Sequence, residues 1–242
     1  MMRQHTRVIG WLMAVLAMAA FTALGFWQLQ RMHAKQAMLD AQGPAAAQAL
    51  PLAQALAARG ALHGVADHGR FLPGVVLLDN QMRHGRAGVK IYRPFQSDGG
   101  SVLLVDLGWR ALPPDRSLPQ LPAPPSPVAV RGLLAPPPAA GLALGPALSP
   151  TGEAGRWLAS RLPADGLARA LGLAVLPDRV LRLDPALPFG DERDLDLLPN
   201  TLPPSRHLGY AVQWFALALT VLVVALVLEF RLRRRPAAGS RR

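Results

Sequence analysis

The chain has 242 residues, no cysteine and a formal net charge of +11. The lack of cysteine excludes disulfides, thiolate catalysis and cysteine-ligated metal sites. Residues 34–205 carry 16 Lys and Arg against 14 Asp and Glu, a net charge of +2, so they lack the basic face that a nucleic-acid partner requires.

The first element is a long uncharged apolar stretch. About 20 apolar helical residues cross a bilayer core, and residues 8–30 are long enough. They predict a first transmembrane helix over 8–30. Residues 1–7 form a tip before it that carries Arg3 and Arg7.

A cleaved signal peptide is the alternative interpretation of this stretch, because residues 17–19 (Ala-Met-Ala) fit a small-x-small cleavage site. The apolar run, however, continues to Trp27, which exceeds the apolar core of a signal peptide. No amphipathic Arg- and Ser-rich leader of the mitochondrial type precedes it, so we expect a bacterial protein.

Residues 31–206 form the predicted central domain. Short apolar runs bounded by Gly, Pro, Asp or Asn are typical of strands. We predict strands over residues 60–65, 75–79, 89–95, 102–109 and 128–134. Residues 79–88 would link the second strand to the third, and residues 97–100 would form a hairpin turn. Such short connections favour an antiparallel meander, and the fold class is therefore α+β.

The rest of the domain is predicted to contain short helices, one more strand and irregular connections. A chain break is expected at residues 43–44 (Gly-Pro), and residues 191–200 read as an acidic, exposed approach to the second anchor. The other predicted segments are helices over residues 50–59 and 164–173, a strand over 179–184, and Pro-rich surface connections over 113–127 and 135–150.

A second apolar stretch predicts a transmembrane helix over residues 207–228, followed by a basic tail over 229–242. The tail contains Arg231, Arg233, Arg234 and Arg235. Basic residues beside the ends of transmembrane helices mark the cytoplasmic side. We therefore expect a two-pass protein of the bacterial inner membrane, with both termini cytoplasmic and the central domain periplasmic.

No enzyme motif is present in the sequence. It has no Walker loop, no G-x-G-x-x-G after a strand, no G-x-S-x-G elbow and no H-E-x-x-H pair. His63, Asp67 and His68 are the nearest approach to a metal-ligand set, but on one strand they would not point the same way. We expect neither catalysis nor a metal site from these residues.

Polar and aromatic residues gather at the central-domain ends of both anchors. His207, Tyr210 and Trp214 share one face of the second helix, and Trp27 and Arg31 share one face of the first, with Gln28 beside them. An imidazole there can ligate haem iron and arginines can pair with haem propionates. An interfacial aromatic belt with snorkelling arginines explains the same residues, so spacing alone leaves both interpretations open.

Several blocks resemble the Surfeit locus protein family of cytochrome c oxidase assembly factors. Residues 25–31 (GFWQLQR) resemble its G-x-W-Q-x-x-R signature, and residues 203–215 resemble the P-x-x-H-x-x-Y-x-x-x-W start of its second anchor. Between them, 78–81 with Gly85, Gly88 and 92–95 resemble its first periplasmic block, and 102–109 its V-N-R-G-W strand. Asp106 and Leu107 stand where that strand usually has Asn and Arg.

The resemblance implies a non-enzymatic assembly factor that helps haem a enter the catalytic subunit of the oxidase, alongside other assembly factors. It makes His207 the candidate axial ligand of haem iron. The other implied haem contacts are Tyr210, Trp214 and Trp27 as pocket walls and Arg31 and Arg206 as propionate partners. Two alternatives are a scaffold that stabilises an oxidase assembly intermediate without haem, and a membrane-tethered periplasmic enzyme.

Overall fold

The computed structural model describes residues 2–60, 62–140, 145–195 and 202–234. These residues divide into two units. A helical unit is drawn from Met1–Ala37 and Leu202–Arg242, and a β-rich unit from Met38–Thr201. The predicted class, an α+β membrane protein with terminal helices and a β-rich domain, is confirmed.

Four helices and nine strands are defined within the described residues. The helices are α1 (Met2–Ala47), α2 (Leu52–Ala57), α3 (Ala164–Leu171) and α4 (Pro204–Arg234). The strands are β1 (Ala49–Leu50), β2 (His63–Phe71), β3 (Val75–Arg83), β4 (Arg86–Ser97), β5 (Val102–Ala111), β6 (Val128–Ala135), β7 (Leu148–Pro150), β8 (Arg156–Ala159) and β9 (Val180–Leu183).

The two long helices have the length and composition of membrane spans. Arg7–Gly43 within α1 reaches a mean hydropathy of 2.1, and Pro204–Arg234 reaches 2.5. Only 6% of either apolar window is buried, whereas the core helix of a soluble protein would be mostly buried. These observations indicate a two-pass membrane protein. Helix α1 also continues through the break predicted at residues 43–44 and ends one turn later, at Ala47.

The strands form one sheet in the order β1-β2-β6-β9-β5-β4-β3-β8-β7. Strand β2 also pairs with β4 through Gly69 to Phe71, so β2, β6, β9, β5 and β4 close into a ring. The sheet is mixed: β1–β2, β3–β8 and β5–β9 are parallel. The prediction of a purely antiparallel domain is wrong in this respect, because long connections let later strands return in the parallel direction.

The hairpin between β3 and β4 is tighter than predicted. Most of the predicted 79–88 link is strand, and only His84 and Gly85 form the turn. Both have positive φ, 49° and 73°, as the two central residues of a type I′ hairpin turn require. The predicted 97–100 turn is confirmed: the Gly100 N–H donates to the Ser97 carbonyl at 2.8 Å.

Some of the remaining predictions for the domain agree with the structure and others do not. Helices α2 and α3 and strand β9 lie within the segments predicted for them, and 113–127 contains neither helix nor strand, as expected. Residues 135–150 were predicted to be a connection without strands, and this prediction is wrong at Leu148–Pro150, which form β7. Residues 141–144 lie outside the described residues. Strands β1 and β8, of two and four residues, were not predicted.

Two apolar clusters hold the domain together. The first includes residues from all five strands of the ring, together with α2 and β3: Leu52, Ala55, Val65, Leu77, Val89, Ile91, Phe95, Leu103, Val105, Leu107, Val130, Leu134, Leu181 and Leu183. The second lies under α3, where Leu167 and Ala168 pack with Tyr92, Leu104 and Val180. The sheet is therefore covered on this second face by α3.

Residues 191–195 do not form the exposed approach that the sequence predicts. The Asp191 N–H donates to the Leu107 carbonyl, and the Trp109 N–H donates to the Glu192 carbonyl, both at 2.7 Å. Arg83 adds an ion pair to the Glu192 carboxylate at 2.7 Å. The segment is thus fastened to β5 and β3; residues 196–200 lie outside the described residues.

Candidate functional site

The two membrane helices contact each other along one seam, and we call them the helix pair. The less exposed side chains recur at intervals of three and four residues on both helices. On α4 they include His207, Ala211, Trp214, Ala218, Val221, Ala225 and Glu229, and on α1 they include Trp11, Ala14, Met18, Phe21, Gly25, Gln28, Met32 and Lys35. This 3.5-residue period is typical of a helix pair with a slight left-handed supercoil.

An aromatic layer lies in the seam around Gly25. A Cβ atom at Gly25 would lie 2.6 Å from a ring carbon of Phe215, so only glycine permits this approach of the helices. Phe21 stacks on Trp214 with ring centroids 5.6 Å apart, and Phe26 meets Phe215 edge-on at 5.4 Å. These rings fix how the two helices meet along the seam.

His207 lies in the same seam, two turns of α4 before Trp214, and only 6% of its surface is exposed. Its Nδ1 lies 2.7 Å from Oε1 of Gln28 on α1. An amide oxygen only accepts hydrogen bonds, so this contact is a hydrogen bond in the tautomer that has its proton on Nδ1. The buried Nε2 then bears a lone pair and has no hydrogen-bond partner within the part of the chain that the structure describes.

Cationic side chains surround this imidazole. Arg31 and Lys35 follow Gln28 on α1 and lie close enough to act electrostatically on His207. The Lys35 ammonium donates to the backbone carbonyl of Leu202, just before α4 begins. Arg206, the neighbour of His207, is exposed. We call His207, Gln28, Arg31, Lys35 and Arg206 the His207 end of the helix pair.

The structure brings together only part of the residue set expected from the sequence. His207 and Trp214 lie in the seam, and Arg31 lies near His207. Trp27 and Tyr210 are 51% and 40% exposed and lie outside the seam. Two residues at this end, Gln28 and Lys35, have no role predicted from the sequence. Both residues could have been found from their spacing, because they lie seven residues apart on the face of α1 that contains Gly25.

A second polar contact occupies the opposite end of the helix pair. Arg7 on α1 forms an ion pair with Glu229 on α4, and Arg233 donates to the same carboxylate at 2.7 Å. The indole N–H of Trp11 lies 3.5 Å from the other carboxylate oxygen. Glu229 is therefore buried among donors, which is how a charged group is accommodated beside hydrocarbon.

Asp67 and His68 of β2 each contact a different group in the structure. Asp67 accepts a hydrogen bond from the Leu52 N–H at the start of α2, at 2.8 Å. His68 pairs with Asp98 at 2.7 Å instead of turning towards His63. Within the described residues, no group of three or more His, Asp or Glu side chains is placed to hold a metal ion.

Comparison with known families decides which family this architecture belongs to. The model of the SURF1 family matches residues 15–219, which include most of the first anchor, the whole β-rich unit and the first half of α4. The chain belongs to the SURF1 family. SURF1 proteins are cytochrome c oxidase assembly factors and not a family of enzymes. No curated protein matches the chain.

The residues at the His207 end of this SURF1-family chain suit a haem group. Nε2 of His207, buried and without a hydrogen-bond partner among the described residues, is the kind of nitrogen that ligates haem iron. Arg31, Lys35 and Arg206 supply cations suited to carboxylate groups, and the aromatic layer gives apolar surface deeper in the seam. Trp27 and Tyr210 are exposed.

Proposed function

We propose that this SURF1-family chain assists the entry of haem a into the catalytic subunit of the oxidase, with His207 as the axial ligand. The observation that carries the proposal is the Nε2 atom of His207, which is buried, unpartnered among the described residues and bears a lone pair. A buried polar atom without a partner is costly, and a ligand bond would compensate for it.

The charges around His207 support the same ligand chemistry. Arg31 is an exposed cation that acts electrostatically on the imidazole, as Lys35 does, and Arg206 is the exposed residue that precedes His207 in the chain. Haem propionates are carboxylates, and guanidinium groups bind carboxylates in a bidentate geometry. In this proposal, Arg31 and Arg206 hold the propionates, while Lys35 secures the start of α4 through the Leu202 carbonyl.

The proposed topology puts the β-rich unit in the periplasm of a bacterial cell and both chain ends in the cytoplasm. Arg7, Arg231, Arg233 and Arg234 all lie at the Glu229 end of the helix pair. An excess of arginine at one end is the positive-inside pattern. The His207 end would then face the periplasmic side of the inner membrane, where we expect the oxidase subunit and other assembly factors to dock.

A haem-free scaffold for an oxidase assembly intermediate is the second candidate, and one observation favours it. Trp27 and Tyr210 are exposed and lie outside the seam, so they offer their rings to lipid or to a partner protein instead of to His207. In this interpretation the Gln28–His207 contact serves only to join the helices.

Haem content separates these two functions. The full-length protein is purified in detergent from cells that make haem a, and its visible spectrum is recorded. We expect a haem a spectrum that is lost in His207→Ala and retained in His33→Ala, because His33 is an exposed histidine on α1. If no haem a co-purifies, or if His207→Ala keeps the spectrum, the ligand role is refuted.

A gene deletion tests the assembly role itself. Oxidase activity should fall on deletion while haem a synthesis continues, and expression of the intact chain should restore it. A normal oxidase in the deletion strain would refute both the haem role and the scaffold role.

A further inference from the structure

We propose that Gln28 is a positioning residue: it holds the proton of His207 on Nδ1 and so presents Nε2 as the free ligand atom. The identity of the ligand rests on the function proposed above. The position of the proton does not, because it follows from a contact between α1 and α4 that needs no ligand.

The geometry of the contact defines the tautomer. Oε1 of Gln28 and Nδ1 of His207 are 2.7 Å apart, which is a normal hydrogen-bond distance. The amide oxygen has no proton to give, so the imidazole must donate from Nδ1. With the proton on Nε2 instead, Nδ1 and Oε1 would be two acceptors at 2.7 Å, and the buried Nε2–H would lack an acceptor among the described residues. Both effects favour the Nδ1–H form.

A glutamine is a suitable hydrogen-bond acceptor for a histidine that must bind haem iron and later release it. Histidines that hold a metal donate their second N–H to a carboxylate, a backbone carbonyl or water, and a carboxylate makes the imidazole the most basic. Gln28 is a neutral acceptor, so it orients the ring while it raises the basicity of Nε2 less than a carboxylate would. The site therefore combines a fixed orientation with a moderate ligand bond.

The ligand-free protein provides the first test. Full-length protein labelled with ¹⁵N-histidine is studied by NMR in detergent micelles at about pH 8.5, where an ordinary imidazole is neutral. His207 is assigned from the signals that disappear in His207→Asn. We expect a protonated Nδ1 and an unprotonated Nε2 in the wild type, and a shift of the proton towards Nε2 in Gln28→Met.

Gln30→Met is the matched control, because Gln30 is the same residue type on the exposed face of α1 two positions away. It should leave the His207 signals unchanged. A wild-type His207 that carries its proton on Nε2, or a tautomer that is the same in the wild type and in Gln28→Met, overturns the proposal.

Binding of added haem a provides the second test. Loss of a hydrogen bond to a ligating histidine typically weakens metal binding about 10- to 100-fold, so Gln28→Met should raise the Kd for haem a by that factor. Gln28→Glu should restore binding and lower the reduction potential of the bound haem, because a carboxylate acceptor makes His207 more basic. Equal Kd values for the wild type and Gln28→Met would contradict the positioning role. If the wild type shows the expected tautomer but binds no haem a, Gln28 keeps its role in setting the ring and the proposed function fails.

Discussion

The carboxylate of Asp106 in the β-rich unit is 4% exposed and has three partners, so its replacement by asparagine is a sharp test of how this domain is stabilised. Lys90 donates to Oδ2 at 2.8 Å, the Tyr92 hydroxyl lies 3.3 Å from the same oxygen, and the Gly108 N–H donates to Oδ1 at 3.0 Å. Arg182, itself 2% exposed, is the neighbour of Asp106 across the β5–β9 pair.

Asp106→Asn should lower the free energy of unfolding mainly because it leaves the Lys90 ammonium group without its carboxylate partner. Removing one member of a buried ion pair costs about 3–5 kcal/mol. Asparagine keeps an acceptor for the Gly108 N–H, and the Lys90 side chain is still 13% exposed, so we expect the lower end, about 3 kcal/mol. For a domain of this size that corresponds to a fall in Tm of about 6–12 °C.

Thermal unfolding of the full-length protein in detergent measures this effect, and a double-mutant cycle isolates the pair. In Lys90→Met/Asp106→Asn neither charge of the pair is present, so the double variant should be more stable than the sum of the two single losses predicts, by about 1–3 kcal/mol. If Asp106→Asn leaves Tm unchanged, or if the two losses simply add, the ion pair does not stabilise the domain and our reasoning is wrong.

Three further substitutions test other parts of the structure by the same unfolding measurement. The pKa of Tyr92 is raised well above its ordinary value, because burial and a neighbouring carboxylate disfavour the phenolate. Its contribution is therefore complete below about pH 10 and is lost as the pH rises further, so Tyr92→Phe should flatten the alkaline loss of stability; an unchanged slope would refute this. Gly25→Leu should lower the free energy of unfolding by about 1–3 kcal/mol, because the new side chain overpacks against Phe215. Gly10→Leu should cost little, because a Cβ atom at Gly10 has no other atom within 4 Å; equal effects of the two substitutions would contradict the close contact of the helices at Gly25. Leu167→Ala should cost about 2–5 kcal/mol, since Leu167 on α3 is 1% exposed and packs in the second apolar cluster; a neutral result would mean that α3 is not needed to cover the sheet.

The sequence predicts those strands whose signal is local. Strands β3 to β6 contain alternating or continuous apolar runs, and Ser97 to Gly100 form a recognisable turn. The more polar β2 (His63–Phe71) overlaps its predicted strand, 60–65, only at residues 63–65. The strand with which a given strand pairs can be far away in the sequence, and local patterns do not reveal it. For this reason the antiparallel meander was wrongly predicted for the whole domain. Strand β9 pairs with β5 only after a connection that contains β6, two Pro-rich tracts and α3, and no local pattern encodes that return.

The candidate site divides in the same way. His207 and its position at the end of an apolar helix can be read from spacing on α4 alone. The choice of Gln28 over Trp27 as the residue that meets it cannot, because these neighbours differ by 100° around α1 and only the packing of two helices decides which one faces α4. Gly25 can be recognised in the sequence as part of a motif. The reason why a glycine is needed there is the Phe215 ring, which lies on the other helix.

The two polar contacts of the helix pair are separated by about the thickness of a bilayer core. Residues 207 and 229 are about 33 Å apart along α4, and residues 7 and 28 are about 32 Å apart along α1, at 1.5 Å per residue. The hydrocarbon core is about 30 Å thick, so each contact falls where water and headgroups begin. A slip of one turn would break the Gln28–His207 bond and the Arg7–Glu229 ion pair together, and it would also move Gly25 away from Phe215. The polar ends therefore act with the Gly25–Phe215 contact to specify the register of the helices, and that register brings Gln28 to His207.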